Sequence, residues 1–303
     1  MRSKILAPMP RSSPLISPRI PPVHTWHCGR FRIELSRPRI MGVVNVTPDS
    51  FADGGLFFDP QRAIAHAHRL IEEGADLVDI GGESTRPGAG EVDAREELRR
   101  VIPVLRALRD APVPVAIDTV KPQVMQAAIA EGVSVVNDVG ALRAPGALET
   151  VAGSELGVCL MHMLGEPRTM QAAPVYENVV EDVKRFLAGR VDAAAAAGIA
   201  RQRIVIDPGF GFGKTVEHNL ELLRNLGRLA ELGVPLLVGL SRKSTLGAIT
   251  GRPAEERLAA SVAAALLAVQ HGAKIVRVHD VAATRDAIAV LDAVENTGHR
   301  AAR

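Results

Sequence analysis

Asn45, Glu83, Asp118, Asn137, His162, Asp207, Lys243 and His279 share one kind of position: each stands at or just beyond the C-terminal end of a short apolar run. Arg86, Asp138, Arg242 and Arg277 lie close to them in the chain. Together they offer carboxylates, amides, imidazoles and cations, a set suited to gripping and orienting a polar ligand. A carboxylate that closes an apolar run, as Asp118 closes 113–117 and Asp207 closes 204–206, is half buried and must find donors. A planar heterocycle with a ring N–H beside an amino group supplies two of them; a structural pairing with Lys243 is the other reading. Arg277 and His279 are two apart on an extended run, so they point to one face. A cationic pair there fits an anion such as phosphate, or else a surface ion pair.

What gathers these scattered residues is a repeat. Apolar runs at 40–46, 76–80, 113–118, 133–137, 158–162, 204–207, 236–240 and 274–278 read as strands. Helical stretches follow at 60–73, 93–108, 122–130, 146–152, 177–197, 216–232, 255–270 and 282–294. Gly74, Gly132, Gly198, Gly233 and Gly272 each end a helix just before a strand, where a positive φ is wanted. The alternation predicts an α/β fold, a (β/α)8 TIM barrel in a single domain covering 25–303. Right-handed crossovers close such a sheet, and its C-terminal rim carries the active site. A doubly wound open sheet is the alternative, but it has no need of eight regular units. The segment 27–35 reads as a strand or hairpin that plugs the lower end of the barrel.

Composition agrees. Of 303 residues 47% are hydrophobic and only 3% aromatic, so the core must be aliphatic, as parallel strands buried on both faces require. A net charge of +2 gives no reason to expect nucleic acid or a membrane surface as partner. No run of about 18 apolar residues predicts a transmembrane helix. Cys28 and Cys159 are too few for a disulfide framework and read as reduced thiols of a cytoplasmic protein. Residues 1–24, rich in Pro, Arg and Ser, read as a disordered extension.

The run from Pro208 to Thr215 imitates a nucleotide P-loop, but Pro208 stands where that motif needs Gly and lacks the N–H a phosphate cradle uses. Ser84 and Ser241 have no G-x-S-x-G setting, which argues against a hydrolase.

Five ordered motifs carry a family resemblance: Met41-Gly-Val-Val-Asn-Val-Thr-Pro-Asp-Ser-Phe-Ala-Asp-Gly-Gly55, Asp79-Ile-Gly-Gly-Glu-Ser-Thr-Arg-Pro-Gly88, Asp207-Pro-Gly-Phe-Gly-Phe-Gly-Lys214, Ser241-Arg-Lys-Ser244 and Arg277-Val-His-Asp280. Over residues 26–293 the chain resembles the dihydropteroate synthases. The resemblance implies a transferase of folate biosynthesis that joins 6-hydroxymethyl-7,8-dihydropterin diphosphate to 4-aminobenzoate. It implies a pterin set of Asp118, Asn137, Asp207 and Lys243. Asn45 becomes the protein ligand of a Mg2+ that also holds the diphosphate, with Arg277 and His279 beside it. Thr85, Arg86, Pro87, Phe212 and Ser244 would frame the aminobenzoate, and Lys243, Asp118 and Arg277 would carry the catalysis. The segment 47–57 would be a mobile loop. The family resemblance also implies a sulfonamide target and a homodimer, for which the apolar helix around 258–269 is the candidate face. Val120 departs from the small hydroxyl residue expected after Asp118-Thr119 and reads as a change of loop packing. A pterin-dependent methyltransferase would have no use for the last two motifs, and a non-catalytic pterin-binding paralogue would be marked by a missing rim residue.

Overall fold

Each of the eight apolar runs forms a parallel strand. The computed structural model of the chain describes residues 23–47, 59–84, 90, 92–165, 170 and 174–300. Most of the predicted extension 1–24 and nearly all of the loop 47–57 lie outside the described residues. The strands are β3 (Arg39–Asn45), β4 (Leu77–Gly81), β5 (Val115–Asp118), β6 (Val135–Asp138), β7 (Gly157–Met161), β8 (Ile204–Asp207), β9 (Leu237–Val238) and β10 (Ile275–Val278). They pair in the order β8-β7-β6-β5-β4-β3-β10-β9. A parallel bridge between Ile206 and Leu236 joins the two outer strands and closes the barrel. Ahead of the barrel, β1 (Thr25–Cys28) and β2 (Phe31–Glu34) form an antiparallel hairpin, in line with the predicted plug.

Strand alternation sorts the side chains into two cores. Met41, Leu77, Ala116, Val135, Cys159, Val205, Leu237 and Ile275, one from each barrel strand, form a single inward layer. Trp26, Cys28, Ile33 and Leu35 of the hairpin region close this layer from below. Trp26 is fully buried and satisfies its indole N–H on the Arg203 carbonyl at 2.9 Å. The intervening residues, such as Val78, Ile80, Val136, Val158 and Leu160, face outward and pack against the surrounding helices.

Helices fill the gaps between strands largely where the periodicity puts them. Asp59, Asp93, Asn178 and Thr215 cap the N-termini of Pro60–Glu72, Ala94–Ala107, Val179–Ala196 and Val216–Arg224 with their side chains. All five predicted stop glycines adopt positive φ, from 71° at Gly233 to 105° at Gly272. Three expectations need correction. The helix expected over 216–232 breaks at Asn225 into Val216–Arg224 and Leu226–Ala230, because Asn225 leaves helical geometry at φ −106°, ψ 20°. The helix expected from 255 starts at Leu258, after a 3-10 turn at Ala254–Glu256. β9 is only Leu237–Val238, and an extra helix, Ser244–Thr250, follows it.

Candidate active site

Two residues above the apolar layer, the same alternation brings a polar layer inward. Asp79, Asp118, Asn137, Asp207 and Arg277 lie two positions beyond Leu77, Ala116, Val135, Val205 and Ile275. Register alone therefore converges residues from five different strands.

Arg277 ties this layer together. Its Nε donates to Asp79 Oδ2 at 2.6 Å and its Nη2 to Asp118 Oδ2 at 2.9 Å. Asn137 Nδ2 donates to the same Asp79 oxygen at 2.9 Å. Burial alone would lower the guanidinium, but the charges of Asp79 and Asp118 outweigh it and hold Arg277 above its ordinary range. Burial raises the Asp118 carboxyl, Arg277 offsets part of the rise, and Asp79 adds to it. Asp79 is fully buried, and its Oδ1 has no hydrogen-bond partner among the described residues. Asp79 opens one of the five motifs but was not among the rim residues expected from sequence. Its signal lies in the chain all the same: a carboxylate two residues beyond an inward leucine in an otherwise apolar strand.

Asp207 is buried too, raised by burial and drawn back chiefly by Lys243. Its Oδ1 accepts the Gly209 N–H at 2.7 Å, which starts the glycine-rich turn 209–213. Lys243 reaches this turn from above. Its ammonium donates to the Phe210 carbonyl and sits 4.6 Å from the Phe212 ring centre. Burial lowers it to about 8, against the pull of Asp207.

The two last motifs form one unit. Arg242 holds Asp280 through both guanidinium arms, at 3.1 and 2.6 Å. That pair, with the Arg242 N–H on Ser261 Oγ at 2.9 Å, sustains a positive φ of 58° at a non-glycine residue. The bend throws Lys243 inward. Ser241 Oγ accepts the His279 N–H at 3.2 Å and lies 2.9 Å from His279 Nδ1. Asn45 is half-buried at the end of β3, and Ser244 is exposed at the start of the extra helix.

Three residues of the sequence-derived rim serve other ends. Glu83 accepts from Lys121 at 2.5 Å and from the Val92 N–H at 3.0 Å, and Lys121 also holds the buried Glu97 at 2.6 Å. Asp138 accepts the N–H groups of Gly140 and Leu142 at 2.6 and 2.8 Å, clamping a turn in which Ala141 and Leu142 both have positive φ. His162 follows Met161, which is inward by parity with Cys159, and so turns outward onto Phe186 with ring centres 4.9 Å apart. Thr85, Arg86 and Pro87 lie outside the described residues. Beside the polar layer Val139, Met161, Met163 and Met170 form an apolar wall, joined by Val120 and Phe212. Val120 is thus part of that wall's packing.

The arrangement offers carboxylate and amide acceptors for a heterocycle, flanked by cations from Lys243 and Arg277. Among the described residues no group of three or more His, Cys, Asp and Glu side chains could hold a metal ion. A single amide oxygen such as that of Asn45 is a hard donor, and with phosphate oxygens and water it fits the habit of Mg2+.

The family model described as pterin binding enzyme matches residues 41–279. A dihydropteroate synthase of Neisseria meningitidis serogroup B is 53% identical over 278 residues, covering 89% of this chain and 98% of that protein. The Xanthomonas albilineans dihydropteroate synthase solved with 4-aminobenzoic acid is 55% identical with a TM-score of 0.85, covering 90% of this chain and 98% of the other. The Burkholderia cenocepacia dihydropteroate synthase complexed with 7,8-dihydropteroate is 50% identical with a TM-score of 0.83, covering 91% and 98%.

Proposed function

The chain belongs to the dihydropteroate synthase family of pterin-binding enzymes, and from that premise we propose how its rim divides the work. It is a transferase of folate biosynthesis. It condenses 6-hydroxymethyl-7,8-dihydropterin diphosphate with 4-aminobenzoate, giving 7,8-dihydropteroate and diphosphate. One observation carries the assignment of roles: the convergence of Asp118, Asn137, Asp207, Lys243 and Arg277 at the C-terminal end of the barrel.

Asp118, Asn137 and Asp207 take the pterin's N–H and amino donors, with Lys243 donating to its acceptors. Arg277 uses only part of its donor set on Asp79 and Asp118, which leaves other guanidinium protons for the diphosphate. His279 shares that anion, and Asn45 supplies the protein oxygen for Mg2+. When bound, Mg2+ supplies charge neutralisation of the leaving diphosphate. Phe212 and Ser244, with Thr85, Arg86 and Pro87, receive the aminobenzoate.

The bond between the pterin methylene and the diphosphate oxygen breaks, and its electron pair leaves with the diphosphate. The amine lone pair of aminobenzoate forms the new C–N bond, and one N–H proton is released. The enzyme needs no nucleophile of its own. It needs cations where charge collects and a site that aims the arylamine.

The helix Leu258–Gln270 is almost wholly apolar, and its exposed side carries Ala259, Ala263 and Leu267, which supports a homodimer through this helix. The free, buried thiols of Cys28 and Cys159 fit a cytoplasmic enzyme. Among the described residues no helix is long and apolar enough to cross a membrane.

The test is an assay of the purified protein with both substrates, with and without Mg2+, following 7,8-dihydropteroate. Product formation that depends on Mg2+ is the expected result. No product under any metal condition would overturn the reading, and metal-independent turnover would remove Mg2+ from it.

A further inference from the structure

His162 and Lys214 meet behind the rim, between β7 and the helix Val179–Ala196. Both side chains are buried, at 5% and 3% exposure. The imidazole packs edge-on against Phe186. The Lys214 Nζ lies 2.9 Å from His162 Nδ1, 2.9 Å from the Gly209 carbonyl and 3.0 Å from the Phe212 carbonyl. With Lys214 as an ammonium, which has three protons and no acceptor, these three partners saturate it and Nδ1 accepts. His162 is accordingly neutral: burial, and then the Lys214 charge, lower its pKa to about 3. Burial pushes Lys214 well below the ordinary lysine value, and Asp207 offsets part of that fall.

Two of the three acceptors are carbonyls of the glycine-rich turn, and the third belongs to the barrel wall. That turn has little freedom. Gly209, Gly211 and Gly213 have φ of 69°, 78° and 63°, and a Cβ on Gly209 or Gly213 would collide with the carbonyl oxygen of His162 or Leu164. Tyr176 adds a hydrogen bond to the Gly213 carbonyl at 2.8 Å. On its opposite side the turn presents the Phe210 carbonyl and the Phe212 ring to Lys243.

We propose that His162 and Lys214 are positioning residues: the imidazole Nδ1 anchors the Lys214 ammonium, and the ammonium holds the turn that aims Lys243 and Phe212 at the substrates. This rests on the reading of Lys243 and Phe212 as substrate-binding groups.

His162→Leu removes the acceptor, and His162→Asn restores one near the Nδ1 position. Lys214→Met keeps chain length and removes the donors. Two readouts are needed: hydrogen exchange of the 209–213 amides in the ligand-free protein, and KM and kcat for each substrate. His162→Leu and Lys214→Met should exchange faster and raise KM for the pterin diphosphate by about tenfold, with kcat changing less. His162→Asn should stay within about threefold of wild type in KM, because a merely space-filling role would not respond to a restored acceptor. Equal impairment in His162→Asn and His162→Leu would overturn the anchor, as would wild-type exchange and KM in Lys214→Met. If His162→Leu does not fold, the comparison of Lys214→Met with His162→Asn still decides. Exchange is measured without substrate, so a wild-type protein that makes no product would overturn the functional reading while the exchange rates continue to test the anchor.

Discussion

Arg277 Nε stands 2.6 Å from Asp79 Oδ2, joining β10 to β4 across 198 residues of sequence. The other arm of the guanidinium reaches Asp118 on β5 at 2.9 Å. One side chain thus links three strands in the layer where a substrate would sit, so binding and barrel stability share a group.

Removing Asp79 should therefore cost stability as well as function. Asp79→Ala strips a buried partner from Arg277 and an acceptor from Asn137, an expected loss of about 3 kcal/mol. Arg277→Leu should cost a similar amount, and the double variant clearly less than the sum. Urea denaturation of the three variants measures the coupling. Strict additivity would mean that the pair does not act as a unit.

Asp207→Asn should cripple pterin binding while leaving the fold intact. The amide can still accept the Gly209 N–H through its oxygen, but it offers one acceptor where the pterin donors need two. A loss of about a hundredfold in affinity for the pterin diphosphate is expected by calorimetry, with circular dichroism unchanged. Normal affinity would sink the pterin assignment.

The alkaline limb of the rate profile should belong to Lys243, whose pKa burial lowers to about 8. Below that pH the ammonium is present to bind. Above it the charge is lost, so kcat/KM for the pterin diphosphate should fall as pH rises through 8. Lys243→Arg should abolish this limb, since arginine stays charged. Stability moves the other way. Between about 8 and 10.5 the unfolded chain binds more protons at this site, so this group's contribution to stability rises with pH. A wild-type profile flat to about pH 9.5 would contradict the assignment.

Val120 packs beside Val139, Met161, Met163, Met170 and Phe212. Val120→Ser should cost about 1 kcal/mol of stability through lost apolar burial. It should change kcat/KM by less than about twofold. A large loss of activity would show that this side chain contacts a substrate.

Sulfonamides carry an aniline ring and a polar group in place of the carboxylate. They should compete with 4-aminobenzoate in steady-state kinetics. Purely non-competitive inhibition would displace the aminobenzoate site from Phe212 and Ser244.

Much of the fold was legible in the chain because its signals are local. A buried parallel strand is a short apolar run, and a helix stop before a strand needs positive φ, as at Gly74 and Gly272. The break at Asn225 and the helix Ser244–Thr250 were not legible. Apolar periodicity runs through the first, and the second lies in a stretch that also reads as loop.

By itself the sequence determined the barrel, its polar rim and the motifs that tie the chain to its family, because strand length, alternation and glycine placement are properties of neighbouring residues. Only the tertiary structure decided how the rim is wired. It turned His162 away from the site, brought Asp79 to Arg277 and closed Arg242 on Asp280. These pairings depend on which strands become neighbours when the sheet curls, and a distance of 198 residues along the chain carries no trace of a 2.6 Å contact across it.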